Sequence, residues 1–239
     1  MRNKYRWLFK VIAPYQLIKP DILLVSSPYE KECFRSAFDV DDSIFLELFP
    51  PRLNELMSQI SNSNDGCSTL LYAPTWRDDH SFSIEEAIDI DTLDKFLGAN
   101  RLHMYCKPHP SDKSDYGRLI QAENITLSSK DDDIYILLAR SDILITDYSS
   151  MLFEALYLNK EVILFCPDYE SYQSNSRTFY RDPCVEMGLA SVEDTESLIK
   201  TISATLQNNS SSALSKSMKP YSISSNPIEE IYKKINSNV

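Results

Sequence analysis

The sequence predicts an α/β protein built on parallel sheets. Short strand-like runs recur at 21–27, 68–73, 102–107, 143–146 and 161–166, with β-branched residues in Ile143 to Ile145 and segments of helical periodicity between the runs. Runs of that kind suit strands covered on both faces, and strands alternating with helices make parallel sheets. A third observation concerns the residues that follow these strands. Several strands end in polar clusters, and open α/β sheets hold ligands at their carboxyl ends.

Asp21 to Ser27 reads as a strand ending in polar residues. Tyr29 to Phe38 reads as a helix, with Phe34 and Phe38 one turn apart. Ser43 to Leu48 is a second short strand, Phe49 to Arg52 a turn, and Leu53 to Ile60 a helix. The polar run from Ser61 to Gly66 is the expected domain boundary, which divides the chain into 1–62 and 63–239. Ser68 to Ala73 is a strand that runs into the loop Pro74-Thr75-Trp76-Arg77-Asp78-Asp79. In that loop Arg77 and Asp78 are placed to pair with each other. Ile84 to Leu97 has helical periodicity, and Leu102 to Lys107 is a strand ending at Pro108-His109-Pro110. Ser111 can cap a short helix through Leu119. Ile125 to Leu127 is a strand and Asp133 to Ala139 a helix.

Ser141 to Glu154 reads as a buried strand, a tight turn with two hydroxyls, and the start of a helix. Such a junction directs backbone N–H groups outward and can hold an anion. Ser149 and Ser150 are therefore either phosphate ligands or ordinary helix caps. Glu161 to Cys166 is the next strand, and Ser171 to Pro183 reads as an irregular loop. Glu193 to Gln207 is a helix, residues 208–217 a Ser/Asn-rich connector, and Ile228 to Ile235 a last short helix.

Composition narrows the chemistry. A net charge of −11 over 239 residues argues against a nucleic-acid partner. Only four glycines occur, and they build neither G-x-G-x-x-G nor a Walker loop. The five cysteines are scattered without C-x-x-C spacing, as reduced and mostly buried thiols would be, and fit the cytoplasm. His80, His103 and His109 show no metal-ligand spacing. Residues 1–20 are basic and aromatic. They are either a surface for anionic membranes or a connecting helix with a solvated basic side.

Three motifs in fixed order carry a family resemblance: Leu71 to Asp79, Lys107-Pro108-His109-Pro110, and Ile143 to Ser150. They resemble the CDP-glycerol glycerophosphotransferases of teichoic-acid and capsular polymer synthesis. Weaker likeness extends to Ser26–Val40, Phe49–Leu56, Tyr169–Tyr172 and Arg177–Tyr180, so it covers roughly residues 20–185. The resemblance implies a GT-B type fold: one nearly complete Rossmann-like domain, a parallel sheet with helices on both faces, plus the end of a second domain. It implies transfer of glycerol phosphate from CDP-glycerol to a hydroxyl of a lipid-linked polymer, with CMP released and no metal or other cofactor. The site residues implied are His109 for catalysis, Ser149, Ser150, Lys107 and Arg52 for the donor phosphates, and Pro74, Thr75, Pro108 and Glu154 for the nucleoside.

Those residue types suit that chemistry. Cleaving a pyrophosphate leaves charge on CMP, and fixed donors and cations must offset it. His109 can donate to the leaving phosphate, Lys107 adds a point charge, and Arg52 can fork onto phosphate. Glu154 can accept from ribose hydroxyls. The family's acceptor-side histidine has no counterpart here, and a general base contributes about 100- to 10,000-fold. Three expectations follow: a transferase with a separately encoded amino-terminal half, a remnant that binds donor without efficient turnover, or a transferase for another CMP-linked donor. The expected location is cytoplasmic, resting on the inner face of the cell membrane through residues 1–20.

Overall fold

A computed structural model describes residues 20–38, 40–57, 68–77, 82–112, 114–175, 182, 184, 188–208, 219–221 and 226–237. The basic amino-terminal segment, the 61–66 connector, Asp78, His80, the Arg177–Tyr180 segment and residues 209–217 lie outside the described residues.

The chain divides into two compact units, Met1–Glu55 with Leu214–Val239, and Leu56–Ala213. The carboxyl-terminal stretch therefore groups with the first unit, where the sequence reading placed it in the second. The first unit contains a βαβ element: β1 (Leu23–Val25) and β2 (Phe45–Glu47) pair in parallel, with α1 (Pro28–Phe38) between them. Phe34 and Phe38 meet edge-on at 5.7 Å, as their spacing required. Arg35 forks onto Asp42 at 2.7 Å through both Nε and Nη2. The helix α2 (Pro51–Met57) follows, with Pro51 at its first position, where a missing N–H costs nothing.

The second unit is a six-stranded parallel sheet. Its strands are β3 (Ser68–Tyr72), β4 (Leu102–Cys106), β5 (Ile125–Leu127), β6 (Ile143–Thr146), β7 (Glu161–Phe165) and β8 (Ala190–Val192). The spatial order is β5-β4-β3-β6-β7-β8. The chain winds outward from β3 through β4 to β5, crosses back to β6, and winds the other way. The direction reverses between β3 and β6, which is where doubly wound sheets bind ligands.

Both faces of the sheet are buried, which explains the continuous apolar runs. Leu70, Tyr72, Met104, Ile143, Ile145, Ile163 and Phe165 join one core cluster with residues of four helices: α3 (Ile84–Ala87), α4 (Ile90–Ala99), α5 (Gly117–Gln121) and α9 (Thr195–Asn208). The alternate positions Leu71, Leu144 and Leu164 are 0% exposed and face the other way. On that side lie α6 (Ile134–Arg140) and α7 (Met151–Tyr157), which touch β3 and β6–β7.

Four elements differ from expectation. The helix expected over 84–97 is two helices. Asp89 interrupts it and caps α4, its carboxylate accepting from the Thr92 amide at 3.2 Å and the Thr92 hydroxyl at 2.7 Å. Ser111 does not start a helix, and α5 is Gly117–Gln121. The Ser111 amide instead donates to His109 Nδ1 at 3.1 Å. The expected loop at 171–183 begins inside a helix, α8 (Tyr169–Asn175), anchored by the Tyr172 amide on the Asp168 carbonyl at 2.8 Å. The edge strand β8 was not anticipated, because Ala190-Ser191-Val192 is too short to show a period. The final helix, α10 (Pro227–Ser237), belongs to the first unit, where Lys234 Nζ donates to the Ser43 carbonyl at 2.7 Å.

The two-sided burial of β6 sets a stability test. Leu144→Ala is expected to destabilise the chain by about 2–5 kcal/mol in urea unfolding. A loss below roughly 1 kcal/mol would contradict burial of both faces.

Candidate functional site

The residues after β3 and β6 form one construction at the point where the sheet reverses. Ala73 extends β3, donating its amide to the Ile145 carbonyl at 2.9 Å, and its own carbonyl accepts from Thr146 Oγ1 at 2.7 Å. The next turn is drawn in by Asp147, which is 1% exposed. Its carboxylate accepts from the Thr75 amide at 2.9 and 3.1 Å and from the Tyr148 amide at 2.6 Å. A carboxylate thus satisfies amides that a glycine loop would direct at a ligand.

Arg77 completes the joint. Its side chain is 2% exposed and lies between two carboxylates. Nη2 stands 2.9 Å from Asp147 Oδ2, and Nε donates to Asp168 Oδ2 at 2.8 Å. Nη2 also donates to Asp168 Oδ1 at 3.0 Å, and Nη1 to the Thr75 carbonyl. Three rings pack around the guanidinium: Phe82, Tyr148 and Tyr172, with centroids 4.7, 4.9 and 4.8 Å from Cζ. Tyr148 and Tyr172 stack on each other at 3.9 Å, and the Tyr148 hydroxyl donates to Asp168 at 3.1 Å. Burial by itself would lower the Arg77 pKa, but the hydrogen bond to Asp168 and the charge of Asp147 outweigh it, and the net shift is upward. Burial pushes the Tyr148 hydroxyl pKa up, so it acts as a neutral donor. The pairing with Asp78 expected from adjacency lies outside the described residues; among those described, Arg77 meets Asp147 and Asp168, the latter 91 positions away.

A pocket opens beside this joint, lined by Pro74, Thr75, Trp76, Arg77, Phe82, His109, Asp112 and Ser114. It brings together three of the expected site residues: Pro74, Thr75 and His109. His109 is exposed, and its ring lies stacked against Trp76 at 6.0 Å. Because Nδ1 accepts from the Ser111 amide, the neutral ring carries its proton on Nε2. Nε2–H is therefore the donor that His109 can offer. The Thr75 hydroxyl is buried and has no hydrogen-bond partner among the described residues, although it lines the pocket. Buried hydroxyls are ordinarily bonded, so this one marks a place for a polar ligand or a water. Asp112 accepts from the Ser114 amide at 2.8 Å and hydroxyl at 2.6 Å.

The other expected site residues are distributed differently. Ser149 Oγ accepts from the Met151 amide at 3.2 Å, so Ser149 caps α7 while keeping its hydroxyl proton to donate. Ser150 is exposed and makes no side-chain cap bond. Glu154 lies one turn into α7 and is 8% exposed. Pro108 is half-buried just before His109. Lys107 is 5% exposed, and its ammonium donates to the Ser129 carbonyl and, at 3.0 Å, to the Lys130 carbonyl. Two of its three N–H donors thus tie the end of β4 to the loop after β5, leaving less for a phosphate than its motif suggested. Arg52 is exposed on α2, in the first unit. Sequence reasoning missed Asp147 and Asp168 as partners of Arg77, and Trp76 as the ring against His109. His103 lies on β4, outside the pocket, with its Nε2 3.0 Å from Thr126 Oγ1 on the neighbouring strand.

A family model described as CDP-Glycerol:Poly(glycerophosphate) glycerophosphotransferase matches residues 13–222. The chain is 34% identical over 184 residues to a teichoic acid poly(glycerol phosphate) polymerase of Staphylococcus epidermidis, covering 67% of this chain and 24% of the relative. It is 29% identical over 206 residues to a teichoic acid glycerol-phosphate transferase of Staphylococcus aureus, covering 76% of this chain and 50% of that protein. The structure of the wall teichoic acid polymerase TagF superposes with a TM-score of 0.61 at 28% identity, over 91% of this chain and 52% of that one. A putative UDP-N-acetylglucosamine 2-epimerase from Listeria monocytogenes shares the fold, with a TM-score of 0.58 at 16% identity over 91% of this chain and 59% of that one. The fold is thus the GT-B type that the motifs implied. The chain spans from about a quarter to half the length of these curated relatives.

Arg77→Met leaves the buried Asp147 carboxylate without its cation and is expected to cost about 3–5 kcal/mol in chemical denaturation. Arg77→Lys keeps the charge but cannot fork across both acids, so it should recover only part of that loss. Full recovery by lysine would refute the bidentate clamp.

Proposed function

Because the chain belongs to the CDP-glycerol:poly(glycerophosphate) glycerophosphotransferase family, we propose that it binds CDP-glycerol beyond the carboxyl ends of β3, β4 and β6 and serves transfer of glycerol phosphate to a polymer hydroxyl. The observation that carries this reading is the joint between the Pro74–Arg77 and Asp147–Ser150 loops, beside a pocket holding His109 and an unsatisfied Thr75 hydroxyl. In the reaction an acceptor oxygen attacks the phosphorus that bears glycerol. The pyrophosphate bond breaks and CMP leaves with the bonding pair. His109, protonated on Nε2, donates to the departing phosphate and lowers the cost of its charge. The hydroxyls of Ser149 and Ser150 hold phosphate oxygens. Pro74, Thr75 and Pro108 border the nucleoside, and Glu154 accepts from the ribose. Lys107 acts mainly through the loop that it ties down.

In this reading no metal is needed, because hydrogen-bond donors at the strand ends take up the developing charge. The acceptor is a polymer of the teichoic-acid kind, as the relatives' names suggest, and in this reading it is carried on a lipid. No described helix is long and apolar enough to cross a membrane. The basic residues among 1–20 support a peripheral position on an anionic bilayer on the cytoplasmic side.

Titration calorimetry of CDP into the purified chain tests the donor site. Ser149→Ala with Ser150→Ala is expected to weaken CDP at least tenfold, about 1.4 kcal/mol. Unchanged affinity in the folded double variant would remove both serines from the phosphate site. His109→Ala should keep CDP within a few-fold while abolishing CMP release from CDP-glycerol with a lipid-linked acceptor. Saturable CDP binding without any CMP release by the wild-type chain would make it a donor-binding unit and not a complete transferase.

A further inference from the structure

Cys166 directly follows β7, and Cys184 lies 18 positions further on, beyond α8. Their sulfurs are 3.4 Å apart, and both are thiols. Each is held by its own backbone. The Cys166 amide donates to the Val192 carbonyl of β8 at 2.8 Å. The Cys184 amide donates to Asp182 Oδ1 at 2.9 Å, and Asp182 Oδ2 in turn accepts from the Tyr169 hydroxyl and from Gln173 Nε2 on α8. Two independently anchored sulfurs in contact need to approach by only about 1.4 Å to reach the length of a disulfide, about 2.0 Å.

The two thiols are also unequal. Cys166 is 1% exposed, whereas Cys184 is half-buried, so a solute reaches Cys184 first. The hydrogen bond with Cys166 holds the Cys184 thiol below its ordinary pKa. The same bond, with burial, pushes Cys166 up.

We propose that Cys166 and Cys184 are a redox modification site that hydrogen peroxide converts to a reversible disulfide. The Cys184 thiolate attacks the peroxide oxygen and breaks the O–O bond. This gives a sulfenic acid, and the expelled hydroxide takes up a proton to leave as water. The Cys166 sulfur then attacks the Cys184 sulfur, and its proton leaves with the sulfenic hydroxyl as a second water. Two thiols are oxidised and one peroxide is reduced to two waters. A dithiol reductant reverses the step by exchange. The cross-link closes a loop that contains Asp168 and Tyr172, both of which hold Arg77. Oxidation therefore staples the segment that supports the β3–β6 joint.

The test uses the purified, reduced chain, which has five cysteines. After mild hydrogen peroxide and denaturation, the thiol titre is expected to fall from five to three. Peptide mass spectrometry should show a Cys166–Cys184 link, and dithiothreitol should restore the titre. Cys184→Ser should hold at four thiols through the same treatment. A wild-type titre that stays at five, recovery of Cys184 as sulfinic acid, or linkage to a different cysteine would overturn the assignment. So would loss of two thiols in the Cys184→Ser variant.

Discussion

The second unit depends on one buried cation. Arg77 sits between Asp147 and Asp168 with almost no water and gives hydrogen bonds to both. Taking the Arg77 guanidinium and the Asp147 carboxylate out of water costs several kcal/mol per ion, so such a pair persists only when its geometry satisfies nearly every donor and acceptor. Here it does. Arg77 also donates to the Thr75 carbonyl, and Asp147 accepts two amides besides. Three aromatic rings exclude water and offer their faces to the cation. The result joins the ends of β3, β6 and β7 through side chains, at the place where the sheet's winding reverses.

This arrangement accounts for a nucleotide-type fold with so few glycines. Doubly wound sheets commonly use a glycine turn to bring backbone amides against a pyrophosphate. In this chain the Thr75 and Tyr148 amides are spent on Asp147. The groups that can still donate at these strand ends are side-chain ones: the His109 imidazole and the hydroxyls of Thr75, Ser149 and Ser150. A rigid rim with projecting side chains suits transfer between a nucleotide donor and a hydroxyl. Donors fixed in advance need not reorganise as charge moves onto the leaving phosphate. Trp76 adds to this by stacking against His109 while the Ser111 amide sets its tautomer.

Much of the fold was legible because burial on both sheet faces imprints itself on sequence. β3, β6 and β7 are continuous apolar runs and were read as parallel strands, and the crevice was placed at their carboxyl ends. What stayed hidden depended on pairings at a distance. Arg77 meets Asp168 across 91 positions, and nothing in the spacing distinguishes that acid from Asp78 next door. The break between α3 and α4 shows in the sequence only as a phase shift: Ile84 and Ile88 share one helical face, and Ile90, two positions on, starts another with Leu93 and Leu97. α8 was read as a loop because its polar sequence buries only Tyr172 among the residues described. Lys107 matched a phosphate-binding motif, yet its ammonium faces two carbonyls whose position only the folded chain reveals. The scattered cysteines likewise gave no sign that Cys166 and Cys184 would touch.

Family membership and geometry converge on the same strand ends. The motifs that carry the family likeness are also those that build the joint and its pocket. The central claim is that the Arg77–Asp147 clamp exists before any donor arrives. Amide hydrogen exchange of Thr75 and Tyr148 in the nucleotide-free chain measures this directly. If the clamp is preformed, both amides should exchange as slowly as those of the β3 and β6 core, opening only with the unit as a whole. Exchange at the rate of an open loop, slowed only when CDP is added, would mean that the ligand builds the site, and would contradict the account.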